Sequence, residues 1–517
     1  MVLPLHNPTK SYWIEAASSP LRDHRSTPDL PATCDILIIG SGYTGTAMAY
    51  WLSLFTDEPV SMVMLEARDV CGGATGRNGG QLKPHFYATY PSWSEQHGPA
   101  AAFSLIQHEV AHLDAFSTLL EREGIAEECS FVRTTSWDAL MSQVEIERSM
   151  TGYDALLRVE GEEAVKDVAV RRGQEDAEKV TRIKGCLMAI GSPAGQIWPY
   201  KFVHALLRIV FARGHLNLQS HTPALSISEP DVQGYTSIST SRGTIRAKRV
   251  IHATNRWTSH LLPEFENLIT PVRGTLAAIT PSKAYLAKPF TTTCGQRWDG
   301  IINNYFLQLP PPHNILIIGG AKQVLVENPT CYLANDEEDK QIPGVEEYYR
   351  AWPKRDLIGW DQDGETDLEG GCQGGGLWTG ILTASADAMP FVGPMPGKDG
   401  HYVCAGFHGH GMPRILLSAA HLAPLILQSL NLSTKMPDLV EPYPPLPLPF
   451  KLTAERLDRL GAASLREKIA GALHEAQSLP VANGGDVELG KEGKALTALD
   501  SSWGDAQEAL ASLPVKA

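Results

Sequence analysis

Basic residues are in short supply, with 44 Lys and Arg standing against 58 Asp and Glu for a formal net charge of −14. An acidic chain without a basic run has no bulk electrostatic hold on nucleic acid or on an anionic membrane, so neither is an expected partner. Long apolar runs are missing too: no window approaches eighteen uninterrupted apolar residues, and the opening MVLPLHNPTKSYW lacks the charged start and apolar core of a signal peptide. The expectation is a soluble, cytoplasmic protein. The eight cysteines, at 34, 71, 129, 186, 294, 331, 372 and 404, show no CxxC spacing. That argues against a zinc site or a disulfide framework, and no metal is expected. There is no internal repeat, and residues 514–517 do not form a peroxisomal SKL-type ending. What remains is ordinary globular composition, 43% apolar and 20% charged, in 517 residues, enough for two or more domains with their own cores.

The most informative stretch is DILIIGSGYTGTAMA at 35–49. Residues 36–39 form a short β-branched run, the pattern of a parallel strand covered on both faces. Gly40, Gly42 and Gly45 follow at GxGxxG spacing. The first permits a tight turn, the second lets a pyrophosphate approach the backbone, and the third lets the new helix press on the sheet. A second apolar strand at 60–65 ends in Glu66, about twenty residues beyond the glycines, where a carboxylate meets a ribose hydroxyl. This pattern is a dinucleotide cradle. CGGATGRNGGQ at 71–81 then packs five glycines into eleven residues. A loop so glycine-dense, carrying Arg77 and Asn78, wraps a diphosphate and lies along a planar ring, with backbone amides and a guanidinium as donors.

These residues resemble the glycine/D-amino acid oxidase (DAO) family of FAD-dependent oxidoreductases, and within it the γ-glutamylputrescine oxidase and sarcosine oxidase-like branch. The likeness covers roughly residues 30 to 430. RVIHATN at 249–255 resembles the late strand that returns to the nucleotide domain, and PVRG at 271–274 the segment after it. GFHGHG at 406–411 resembles the helix start whose amides face the flavin's pyrimidine edge, where an anion is stabilised by roughly 0.3–2 kcal/mol. The implied fold is α/β: a Rossmann-like FAD-binding domain with a discontinuous α+β substrate domain built on a mixed, largely antiparallel sheet. The implied cofactor contacts are Gly40, Gly42, Tyr43, Thr44, Gly45, Glu66, Ala67, Gly73, Ala74, Thr75, Arg77, Asn78, Gly79, Gly80, Gln81, Ala253, Thr254, Gly409, His410, Gly411 and Met412.

The resemblance implies oxidation of a C–N bond in an amine, amino acid or N-alkylated amino acid, with hydride passing to FAD, an imine as product and molecular oxygen as acceptor, giving hydrogen peroxide. Lys83 and His85, just after the glycine-rich loop, reach the active face in sequence; a solvent-facing lysine and a packed histidine are the plain alternative. Departures from the family matter as much. Where sarcosine oxidase-like relatives carry a carboxylate-binding lysine after Gly-His-Gly, this chain has Pro413 and then Arg414; Arg414 or Arg297 is the candidate substitute, and a surface arginine is the plain alternative for either. The segment at 377–393 has no cysteine where those relatives attach their flavin, and Cys372 lies too far upstream, so FAD is expected to be non-covalent. Lys322 stands in for the lysine that promotes reaction with oxygen. Three alternatives stay open: a flavin dehydrogenase with another acceptor (or a nicotinamide-linked enzyme should FAD fail), a tailoring enzyme acting on a natural-product intermediate, and a non-catalytic flavoprotein scaffold. Oligomeric state is not legible.

The expected organisation is interrupted: 30–84, 195–260 and 380–430 build the FAD half, and 85–194 with 261–379 the substrate half. Helical spacing marks Phe202, Ala205, Leu206, Ile209 and Val210, stopped by Gly214, and a long amphipathic helix over 99–123 with Leu105, Val110, Leu113, Phe116 and Leu120 on one face. Strands are expected at 275–280 and 315–318. Residues 431–479 hold a proline-rich spacer and a helix over 453–477, and 480–517 read as a disordered tail.

Overall fold

The computed structural model describes residues 3–299, 302–325, 331–368, 370, 374–437 and 443–461. Two sheets carry the architecture. The first orders Phe391–Pro394, His401–Ala405, Gly243–His252, Thr33–Ile39, Met62–Leu65 and Leu216–Gln219 side by side, with Ala224–Ile227 and Thr236–Thr240 added antiparallel off this path. Four successive pairings within it are parallel, and its central strand is fully apolar from Ile36 to Ile39 because helices cover both faces. The helix Tyr43–Phe55 follows the glycine turn directly, and Pro199–Ala212 ends at Gly214 with φ +80°. Gly214 is thus the left-handed stop its position suggests.

The second sheet has nine strands and is largely antiparallel. Its order runs Leu377–Ser385, Ile269–Ile279, Leu316–Gly319, Asn303–Gln308, Thr293–Arg297, Val132–Leu140, Met188–Gln196 and Gln81–Leu82, with Ala169–Arg172 paired on Met188–Gln196. Among the described residues, only Thr293–Arg297 against Val132–Leu140 pairs in parallel in this sheet. Sheet membership therefore cuts the chain differently from the expected boundaries at 84, 195 and 380. The strands Gln81–Leu82, Met188–Gln196 and Leu377–Ser385 all belong to this second sheet.

The helix Pro99–Arg122 buries Leu105, Leu113, Phe116 and Leu120, but Val110 is only half-buried and its neighbour Glu109 is fully enclosed. The helix expected from Gly411 becomes regular only at Ile415 and runs to Ser429. Of the helix expected at 453–477, the structure describes Ala454–Gly461; its remainder, the tail at 480–517 and Cys372 lie outside the described residues. No helix among the described residues is long and apolar enough to cross a membrane.

Buried neutral histidines give this fold a pH dependence. Burial above all pushes His108 and His252 down to about 3 and His204 and His401 down to about 4. The unfolded chain binds protons on these imidazoles below pH 6.5 and the native chain does not. Their stability is therefore complete above pH 6.5 and is lost as pH falls below it. Between pH 7 and 5.5 the four together cost about 5 kcal/mol. Thermal unfolding scans at the two pH values are expected to differ by about 5–10 °C, and superimposable curves would refute the assignment.

Candidate active site

A cavity of about 450 Å³ runs from the glycine turn of the first sheet to the inner edge of the second. At its nucleotide end, Gly40 has φ +107°, and a Cβ there would stand 2.6 Å from the Ala253 carbonyl oxygen. Only glycine makes that turn. Gly42 precedes the helix Tyr43–Phe55, whose first residues line the cavity, so its N-terminal amides suit an anion. Glu66 also lines it. One of its oxygens accepts from the Ser41 amide (3.0 Å) and hydroxyl (2.6 Å), the other from the Arg68 amide (2.9 Å), which fixes the carboxylate and leaves it room for a further donor.

Of the residues expected to touch the cofactor, nineteen line this cavity and two, Gly45 and Gly80, do not. Gly45 is there for packing: a Cβ on it would stand 1.9 Å from the Gly40 carbonyl oxygen. At Gly80 the φ is +70° and a Cβ would meet the Ile197 carbonyl oxygen at 2.7 Å, so this glycine serves the turn into the second sheet. Arg77 needs a second correction. Its backbone borders the cavity, but its guanidinium turns away to the carbonyls of Thr9 (2.7 Å), Gly72 (3.0 Å) and Thr379 (3.0 Å) and to Glu338 at 3.4 Å. Arg68 joins the same carboxylate at 2.7 Å. A buried guanidinium goes where acceptors are fixed, and here one comes from the loop's own backbone at Gly72 and the others from distant segments.

The N-terminal segment, absent from the sequence reading of the site, holds this loop in place. The Ser11 hydroxyl donates to the Gly76 carbonyl (2.7 Å) and Trp13 Nε1 to the Asn78 carbonyl (2.6 Å). Tyr305 packs its ring between Gly79 and Gly319, where an added Cβ would stand within 2.4 Å of it. Asn255 closes the far side, its Oδ1 accepting from the Gly406 and Phe407 amides at 3.0 and 3.4 Å.

Two buried carboxylates organise the other end. Asp138, 3% exposed, accepts from Lys83 Nζ (2.6 Å) and Arg297 Nε (2.7 Å) on one oxygen and from the Tyr87 hydroxyl (2.6 Å) on the other. Burial opposes its charge, but Arg297 and then Lys83 outweigh burial and hold it below the carboxylate range. Burial in turn lowers Lys83. Lys83 and Arg297 both face the cavity, so its wall carries two cations over one anion.

Glu109 is the second. It accepts from the His85 amide (2.6 Å), His410 Nε2 (3.0 Å), His85 Nδ1 (3.5 Å) and Arg414 Nε (2.7 Å). Burial works against this charge as well, and His410, Arg414 and His85 overcome it, holding Glu109 well below its usual range. Burial lowers both histidines, His410 to about 3, and their rings lie tilted at 39° with centroids 3.7 Å apart, so a charge on one disfavours a charge on the other. Because the carboxylate accepts from Nδ1 of His85 and Nε2 of His410, those nitrogens carry the hydrogens, and the other nitrogen of each neutral ring is an acceptor. His85, Glu109 and His410 have ligand atoms within 4.8 Å of one another, a spacing a metal would accept, but the carboxylate already holds four donors.

Lys83, His85 and His410 therefore meet at the cavity, whereas Arg414 and Lys322 do not. Arg414 is 2% exposed, ion-paired to Glu109, with Trp93 and Phe450 rings at 5.7 and 5.3 Å. Lys322, in the short helix Lys322–Leu325, lines an adjoining chamber. Glu109 was discoverable: it falls four residues after Leu105 and four before Leu113, on the apolar stripe. Asp138 carried no comparable signal.

The residues present fit FAD: a cradle that added Cβ atoms would fill, an anchored carboxylate at Glu66 with room for a hydroxyl donor, and a glycine-lined slot leading to the second sheet. Comparison with known proteins agrees. A family model described as FAD dependent oxidoreductase, DAO, matches residues 35–425. The chain is 27% identical over 276 residues to a probable oxidoreductase OrdL of Rhizobium meliloti, covering 52% of this chain and 60% of that one. It is 40% identical over 74 residues to the γ-glutamylputrescine oxidoreductase of Escherichia coli, covering 14% and 16% respectively. The match thus spans less than two thirds of either relative. Glycine oxidase from Geobacillus kaustophilus has the same fold, with TM-score 0.56 and 18% identity over 82% of this chain and 99% of that one. Cys71, which opens the loop, is fully buried, and residues 377–393 contain no cysteine, in keeping with non-covalent FAD. The chain belongs to the DAO family of FAD-dependent oxidoreductases, and it is an enzyme with FAD as its cofactor.

Proposed function

We propose that the chain oxidises the C–N bond of an amine, amino acid or N-alkylated amino acid. Bound FAD supplies a two-electron acceptor for the hydride leaving the substrate's α-carbon. The chain's own residues supply deprotonation, orientation and a dry wall. An amine gives up hydride only when its nitrogen lone pair is free, so the ammonium proton must go first. The acceptor nitrogens of His85 and His410, kept neutral by burial and by each other, suit that role, with Glu109 fixing their tautomers. Lys83 and Arg297, steadied by Asp138, suit a substrate carboxylate. The imine then takes up water to give a carbonyl compound and a released amine, and oxygen as terminal acceptor yields hydrogen peroxide. The Glu109 set of neutral imidazoles at the cavity wall is the observation that carries this reading. The names of two relatives, an oxidoreductase of γ-glutamylputrescine and an oxidase of glycine, support the same substrate class.

The test is an anaerobic panel of amines and amino acids on the FAD-loaded protein. At least one is expected to bleach the oxidised flavin band near about 450 nm, with colour returning in air and one peroxide formed per turnover. Bleaching with slow return in air would assign a dehydrogenase instead. A panel with no bleaching at all would overturn the proposal.

A further inference from the structure

The backbone amides of residues 406–412, the turn that carries His410, fall into two sets, and two side chains far away in the sequence make the division. The strands Gly243–His252 and His401–Ala405 run parallel with His252 opposite Val403, so three residues further on Asn255 comes opposite Gly406. Asn255 has φ +45°, a left-handed conformation that asparagine tolerates better than most residues. Its Oδ1 accepts from the amides of Gly406 (3.0 Å) and Phe407 (3.4 Å) and from the Thr383 hydroxyl (3.5 Å). Two backbone N–H groups can only donate, so the oxygen of the carboxamide is the atom that meets them. Thr383 Oγ1 in turn accepts from the His408 amide at 3.2 Å. Three successive amides thus end on one Asn–Thr pair. Thr383, 3% exposed, belongs to Leu377–Ser385 of the second sheet, and Asn255 leaves the first, so the pair pins the turn between the two sheets.

The rest of the turn is arranged the other way. The His410 amide closes on the Phe407 carbonyl at 2.8 Å, but among the described residues the amides of Gly409, Gly411 and Met412 donate to no protein group. All three residues line the flavin cavity. Backbone donors left without a protein acceptor at a cavity wall call for an acceptor in what fills it. FAD supplies one in the carbonyl-bearing part of its ring, which grows more negative on reduction.

We propose that Asn255 and Thr383 are positioning residues for the flavin: by taking the amides of 406–408 they turn those of Gly409, Gly411 and Met412 toward the ring, and so raise both its reduction potential and its affinity. The inference needs only FAD as cofactor and is independent of the substrate, so it stands or falls apart from amine oxidation.

Redox titration of the FAD-loaded protein against reference dyes tests it, with flavin release on dilution followed by fluorescence. Asn255→Gly keeps the left-handed backbone and removes the acceptor. Its equilibrium constant for two-electron reduction is expected to fall about tenfold, a potential about 30 mV lower, and its FAD dissociation constant to rise about tenfold. Thr383→Val is expected to shift the potential in the same direction, and Thr383→Ser, which keeps the hydroxyl, to restore it. A merely structural role would lower the melting temperature of Asn255→Gly and leave the potential within about twofold of the wild-type equilibrium constant; that result overturns the proposal. If Asn255→Gly yields no FAD-loaded protein, the Thr383 pair decides. A fall in Thr383→Val that Thr383→Ser reverses supports the clamp, and equal potentials in the two overturn it.

Discussion

Replacing Gly42 with valine is expected to give a folded protein that purifies colourless, with less than about 0.1 FAD per chain. The outcome depends on where the valine puts its atoms. Gly42 has φ −69° and ψ −173°, an extended conformation open to any residue, so the substitution strains no backbone. A Cβ there stands 3.2 Å from Thr75 Oγ1, which itself accepts from the Tyr43 amide at 3.0 Å, so the first added carbon is tight and the two methyls beyond it project toward the cavity. The diphosphate is excluded while the turn survives. Gly45→Ala is the contrasting case, because its Cβ would stand 1.9 Å from the Gly40 carbonyl oxygen and the helix could not pack on the turn. That variant is expected to be lost as insoluble protein. Released flavin measured after denaturation, alongside circular dichroism of each variant, separates the two outcomes. Stoichiometric FAD in Gly42→Val would refute the placement of the diphosphate.

The same pair shows what the sequence made legible. The turn at Gly40 and the packing at Gly45 are local: each depends on atoms within a few residues or on the strand next door, so spacing alone carries them. Glu66 is legible for the same reason, since the end of one short parallel strand fixes its distance from the turn. Arg77 was legible as a residue of the loop but not in its role. Its partners are the carbonyls of Thr9 and Thr379 and the carboxylate of Glu338, brought together only by the tertiary fold. The clamp from Ser11 and Trp13 was missed on the same ground, as nothing in the opening residues announces a partner in the loop at 71–81.

At the catalytic end the limits are sharper. Asp138 sits on one strand, Arg297 on its parallel neighbour and Lys83 just past a third, so the cluster exists only once the second sheet has assembled. Lys322 follows a glycine-ended strand as the resemblance suggests, yet the turn at Gly320, φ +112°, carries it into the adjoining chamber. Arg414 is next to the Gly-His-Gly turn in sequence, but Glu109 claims it from the long helix. In each case the residue type was informative and its direction was not, because direction is set by partners far away in the chain.

Glu109 is therefore the residue whose loss should reach furthest. In Glu109→Gln the Arg414 guanidinium, 2% exposed, keeps its charge and loses its counterion, which costs about 3–5 kcal/mol of stability. The two imidazoles lose the acceptor that sets their tautomers, and kcat/KM on the best amine is expected to fall by about 10²–10⁴. The pH behaviour distinguishes chemistry from folding. Glu109 raises the proton affinity of His85 and His410, so without it the acid limb of kcat/KM moves to lower pH. Glu109 itself ionises well below its unfolded value, so its own contribution to stability is complete above about pH 4.3 and is lost as pH falls through that value; the variant lacks this component. Arg414→Met makes the control. It leaves the carboxylate to its histidine donors, so it is expected to lose stability on the same scale while keeping the acid limb much closer to that of the wild type. A Glu109→Gln enzyme with unchanged kcat/KM and an unmoved acid limb would remove His85 and His410 from the reaction, whatever its melting temperature. A shifted limb in Glu109→Gln alone ties the proton on the substrate amine to this buried carboxylate.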